Sequence, residues 1–158
     1  MDFEMSDMQT ITAETERAKE FEEAPLSRCL EMGLEDLAEI EGDEAYRVSM
    51  GLWHTSVRDL RVCAVCQAGA VMAKTFKVDP RQTLYPAHFS PAVRARLFAL
   101  EFLRIGDVWG ALNTMGQLEN LNKSSMLERF WVRAYYSDPS GYKEDMRKLV
   151  QLLRDNGF

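Results

Sequence analysis

Histidine and cysteine are scarce in this chain: His54 and His88, with Cys29, Cys63 and Cys66, among 158 residues. An odd and small cysteine count excludes a disulfide framework and predicts reduced thiols. A long hydrophobic run is missing too. The most apolar stretch, Val62 to Ala73, is interrupted at Gln67 and closed by Lys74, well short of the ~20 residues that cross a membrane. Met1-Asp2-Phe3-Glu4 offers neither a basic n-region nor an apolar h-region, so no secretory signal is expected and the reading is a cytoplasmic protein. Neither an internal repeat nor a low-complexity tract is present.

What is present suits an ordinary globular domain: 46% apolar and 28% charged residues, with a net charge of −6. The charge is unevenly spread. Residues 1–44 hold 15 acids against Arg17, Lys19 and Arg28, whereas the remaining residues hold 10 acids and 16 bases. The split predicts an acidic, partly ordered N-terminal arm over 1–24, followed by one mainly helical domain over 25–158. The arm is either a solvated face, a segment that folds onto the basic body or a basic partner, or a mimic of nucleic-acid phosphates.

The periodicity predicts a mainly α, compact domain of about five to six helices with a small β-hairpin. Residues 12–23 are good helix formers with little apolar face and Thr12 as a cap, so that helix is expected to be exposed or partly formed. Leu26, Leu30, Leu34 and Leu37 mark one helical face after Pro25, with a break expected at Gly33. Tyr46 to Leu52 alternates with period two and is paired in this reading with Leu60–Val62 as a hairpin over about 46–62. Ala64 to Phe76 reads as a central helix with small apolar residues nearly all round. Ser90-Pro91, Asp107 and Asp138-Pro139 each open a helix, over 91–105, 107–115 and 138–155. Ser125 and Glu128 form a capping box for another, through Leu127, Phe130, Trp131 and Ala134.

Chemistry-bearing residues are few. Cys63 and Cys66 have the spacing of half a zinc site, and His54 and His88 are the remaining imidazole ligands, but no second Cys pair completes it. A redox pair would need a thiolate at the helix N-terminus, where Cys63 is expected, and a nucleophile would be Cys63 or Cys66 at that helix start with His54 or His88 as base. The competing reading makes both thiols small hydrophobes on a packed helix, and no catalytic residue, cofactor or metal is assigned. The 91–115 helix pair has a helix-turn-helix outline, yet its second helix offers no Arg or Lys to bases or phosphates, which makes nucleic acid an unfavoured partner. Most tryptophans at helical spacing are expected in the core. Trp53, in a connection beside His54, is the exception and a candidate for partner binding, together with His54, Glu20, Glu22 and Glu23.

Met50-Gly-Leu-Trp53-His54, then Cys63-Ala-Val-Cys66-Gln-Ala-Gly69-Ala-Val-Met72-Ala73, then Leu97-Phe-Ala-Leu-Glu-Phe-Leu-Arg104 before Gly106, resemble uncharacterised small proteins of tailed bacteriophages and prophages. The likeness covers about residues 46–116. It brings no catalytic residue. It implies expression inside an infected or lysogenic bacterium and a non-enzymatic accessory role. That role would be binding a host or phage protein, including inhibition of host defence. The alternatives are a thiol- or zinc-dependent protein using Cys63, Cys66, His54 and His88, and a nucleic-acid binder or acidic mimic. A homo-oligomer through the 46–52 strand edge is also expected as an option.

Overall fold

The computed structural model describes residues 10–120 and 130–158. It is mainly helical, with a small three-stranded sheet. Helix α1 (Glu16–Glu23) is capped by Thr15, whose hydroxyl accepts from the Ala18 amide at 3.0 Å. It starts three residues later than Thr12 would set it. It is also packed rather than exposed, because Phe21 and Ala18 are buried against the body.

Helix α2 (Leu26–Glu41) runs unbroken through Gly33 and buries Leu26, Leu30, Leu37 and Ile40. Gly33 is therefore a packing residue and not a breaker. A Cβ there would sit 2.9 Å from Nε2 of the buried Gln67, so the missing side chain lets α2 and α3 approach closely. That closeness outweighs the roughly 1 kcal/mol glycine costs a helix. Gln67 in turn accepts a hydrogen bond from the buried Tyr142 hydroxyl of α6.

The strands are β1 (Tyr46–Val48), β2 (His54–Val57) and β3 (Val62–Val65), in the order β1-β3-β2. The expected hairpin is corrected. β1 pairs with β3 in parallel, Tyr46 opposite Cys63, while β2 pairs with β3 antiparallel, His54 opposite Val65. The stretch read as a connection supplies a strand because Thr55 and Val57 are β-branched and fit a half-buried pleat. The alternation from Tyr46 stops at Val48, where Ser49 donates to Val65 O and Leu52 donates back to Ser49 O, turning the chain.

Helix α3 (Gln67–Lys74) is shorter than the 64–76 expected, because Ala64 and Val65 are taken by the ladder. A short apolar run does not by itself separate strand from helix. The segment is nevertheless the centre of the packing: every residue from Cys63 to Ala73 is buried.

Helices α4 (Pro91–Arg104), α5 (Val108–Thr114) and α6 (Pro139–Asp155) begin at Ser90, Asp107 and Asp138, whose side chains accept from Val93, Gly110 and Gly141 amides. Gly106, at φ +79°, takes the left-handed conformation that ends α4. Ser125, Leu127 and Glu128 of the expected 125–134 helix lie outside the described residues, and Phe130 to Ala134 is not helical. Trp131 there is 88% exposed, against the expectation of a core tryptophan; Trp109 is exposed as well. On a non-helical stretch the half-buried Phe130 and Val132 flank an outward Trp131.

A buried polar knot joins three helices. Arg17 Nη2 meets Asp36 Oδ1 at 2.9 Å, Arg17 Nε donates to Thr75 Oγ1 at 3.1 Å, and that hydroxyl donates to Asp36 Oδ2 at 2.5 Å. The charge split is partly internal: Glu31, Glu41 and Asp43 pair with Arg154, Lys143 and Lys74. No helix among the described residues is long and apolar enough to cross a membrane.

Candidate functional site

The residues singled out for thiol or metal chemistry separate into three places. His54 and Cys63 face each other across β2 and β3, both fully buried, with Cys63 Sγ 3.4 Å from Nδ1 and 3.6 Å from Nε2. Nδ1 lies 2.7 Å from Gln82 O. A carbonyl only accepts, so Nδ1 carries the proton, and the bare Nε2 is left to receive the S–H. Burial lowers the His54 pKa and pushes the Cys63 thiol up to about 11. Both groups are thus neutral, the reverse of a thiolate–imidazolium pair.

Cys66, not Cys63, takes the helix N-terminus. It caps α3, its sulfur accepting from the Gly69 amide at 3.4 Å, and burial pushes this thiol to about 12. Cys63 belongs to a small cluster with Ile40, Val65, Ala70 and Ala73, whereas Cys66 belongs to the main core. Cys29 is buried and donates weakly to the Ala24 and Phe21 carbonyls. His88 serves a local turn, accepting from the Tyr85 amide at 3.0 Å. Among the described residues no group of three or more His, Cys, Asp or Glu is placed to hold a metal ion.

Of the acidic candidates, Glu20 is engaged by Arg28 at 2.7 Å, while Glu22 and Glu23 make no ion pair among the described residues. Trp53 is half-buried and packs edge-on against Phe98 of α4, ring centres 5.4 Å apart. Around that pair a surface assembles from three remote segments. The turn Met50–Trp53 supplies Leu52, 40% exposed; α4 supplies Phe98, 39% exposed; and Tyr136, 65% exposed, donates its position through its hydroxyl, which accepts from the Met50 amide at 2.6 Å. Between the turn and α4 lies a crevice of about 60 Å³, with Cys66 and Glu101 in its wall.

Glu101 gives this surface a charge. Its Oε1 accepts from Arg104 Nε at 2.8 Å and Nη2 at 2.5 Å. Its Oε2 is buried without a hydrogen-bond partner among the described residues. A buried carboxylate oxygen left without a donor is costly unless something completes it. Phe98 and Glu101 fall at i and i+3 on α4, and the exposed Ile105 follows as its C-cap, toward the α5 end. From sequence, Trp53 is singled out and Tyr136 is weighed among aromatics either in the core or in an exposed patch, whereas Leu52, Phe98 and Glu101 are not singled out. The available signal was the spacing of Phe98, Glu101 and Ile105, masked by the Leu97–Leu100–Leu103 stripe beside it.

Compared with protein-family models, with curated proteins and with solved structures, the chain matches none of them.

Proposed function

We propose that this chain is a non-enzymatic, phage-type accessory protein that binds a host or phage protein, as an inhibitor of a host or defence protein does. Its contact surface is the one built on Trp53, Phe98, Leu52 and Tyr136. The observation that carries this is Glu101 in the wall of a crevice beside Leu52 and Trp53, its Oε2 buried without a hydrogen-bond partner among the described residues, with Phe98 and Tyr136 exposed nearby in the fold. Exposed aromatics around a desolvated polar centre are the composition of a binding hot spot. A partner of complementary chemistry presents an apolar segment with one basic side-chain tip for Glu101, which the aromatic rings also favour. The cytoplasm of an infected or lysogenic bacterium is the compartment this role implies.

The thiol or zinc alternative has less support, since the three sulfurs are buried, their pKa values are raised and they sit in separate environments. Nucleic-acid binding through α5 has less as well, because Val108, Gly110, Ala111 and Leu112 are turned into the core. The test is affinity capture from bacterial lysate with the tagged chain beside Phe98→Ser and Glu101→Gln. The expected result is a protein retained by the parent and by Cys63→Ser, and lost by both surface variants. Retention by all four, or a turnover activity abolished by Cys66→Ser, overturns the proposal.

A further inference from the structure

A second concavity lies at the opposite end of the sheet from Trp53. Trp53 and Cys66 adjoin the start of β2 and the end of β3, whereas this cleft opens at the end of β2 and the start of β3. It measures about 540 Å³, within the range that holds small-molecule ligands. Arg58, Arg61 and Arg81 line it, with Ser56, over a floor that includes Val62 and Pro80.

The arginines are there by construction. Arg58–Leu60 is a single 3-10 turn closed by the Arg61 amide donating to Arg58 O at 3.2 Å. Arg58 opens the turn and Arg61 follows it, and both line the cleft. Arg61 also holds a left-handed backbone at φ 53°, one of two non-glycine residues to do so among those described, at a cost of order 1 kcal/mol. Arg81 is already gripped by Asp79, at 2.7 and 3.0 Å. Arg58 and Arg61 make no side-chain hydrogen bond or ion pair among the described residues, although acids outnumber bases in the chain. The neighbouring acid Asp59 is exposed and pairs with neither. Two unpaired guanidinium forks lining one cavity suit a phosphoryl group, whose three terminal oxygens can meet both forks, whereas a single fork already takes both oxygens of a carboxylate.

We infer that this cleft binds a small phosphorylated ligand, with Arg58 and Arg61 as its phosphoryl-binding residues and Ser56 as a hydroxyl donor. The floor around Val62 and Pro80 receives the organic portion. This stands independently of the protein-binding surface.

The test titrates the full chain with inorganic pyrophosphate and, separately, with ADP at low ionic strength, followed by calorimetry and amide chemical shifts. The expected result is saturable binding of both, with shifts confined to residues 45 and 56–62 and around Arg81. Arg58→Gln and Arg61→Gln should each weaken it about tenfold, while Arg147→Gln, on the exposed side of α6, leaves it unchanged. Equal affinity for the two probes identifies the phosphoryl group as the whole ligand, and tighter ADP binding adds an organic half seated on the floor. No localised shift with either probe, binding indifferent to both arginines, or binding seen with duplex DNA alone overturns the inference. The arginines are exposed, so folding of the variants is not at issue.

Discussion

The backbone carbonyl of Trp53 lies directly over Gly69: a Cβ built on that glycine would be 1.6 Å from Trp53 O. The turn that presents Trp53 is thus seated on the first turn of α3, where Cys66 donates its amide to Leu52 O at 2.7 Å and Gly69 donates to the Cys66 sulfur. Trp53, Cys66 and Gly69, separated in sequence, are one contact. Gly69→Ala is expected to cost at least about 3 kcal/mol, since backbone and not a flexible side chain must move. Urea unfolding measures it; a change within about 0.5 kcal/mol contradicts the contact.

The thiols should be inert in the native state. Burial raises Cys29 and Cys66 to about 12 and Cys63 to about 11, leaving almost no thiolate near neutrality. A chromogenic disulfide reagent at pH 8 should label all three only as fast as the protein unfolds, and at once in denaturant. Fast native labelling of one thiol contradicts this. Cys66→Ser keeps an N-cap oxygen for the Gly69 amide and should retain a folded protein.

His54 should make the protein acid-labile. Burial depresses its pKa below the ordinary 6.5, so the folded state binds less proton than the unfolded state just below that pH. Its contribution is therefore full above about pH 6.5 and is lost as pH falls toward the depressed value. Asp36 acts oppositely: burial raises it to about 6, so folding is favoured as pH drops from 6 toward 4. The difference in melting temperature between the parent and His54→Asn, followed from pH 7.5 to 5.5, isolates the histidine. It should shrink as pH falls; a constant difference contradicts the assignment.

The two kinds of ion pair at the N-terminal region should differ in weight. Asp36→Ala strands the Arg17 guanidinium and the Thr75 hydroxyl in the knot that joins α1, α2 and α3, and should cost about 2–4 kcal/mol. Glu20→Ala removes a partner of Arg28 at the surface and should cost under about 1 kcal/mol. Denaturant midpoints of the two variants measured side by side check the order, and equal losses contradict it.

The helices that carry their own start signals were legible: Ser90-Pro91, Asp107 and Asp138-Pro139 are local hydrogen-bond acceptors, and each caps the helix it announces. What was not legible is non-local. The parallel pairing of Tyr46 with Cys63 depends on a crossover through β2 that no periodicity encodes. Gly33 reads as a helix breaker until Gln67 is seen to need its space. Trp53 was accessible from sequence as an aromatic in a connection. Phe98 became its neighbour only through packing, and Tyr136 reaches the same turn across 86 positions, at Met50.

Binding through the Trp53 surface is tested most directly by the dissociation constant of the captured partner for the parent and for Phe98→Ser. Arg147→Gln serves as the surface control. The account predicts a loss of about 30-fold or more for Phe98→Ser, the scale of a hot-spot side chain, and none for Arg147→Gln. Equal affinity of all three, with Phe98→Ser shown to be folded by its unfolding transition, contradicts it.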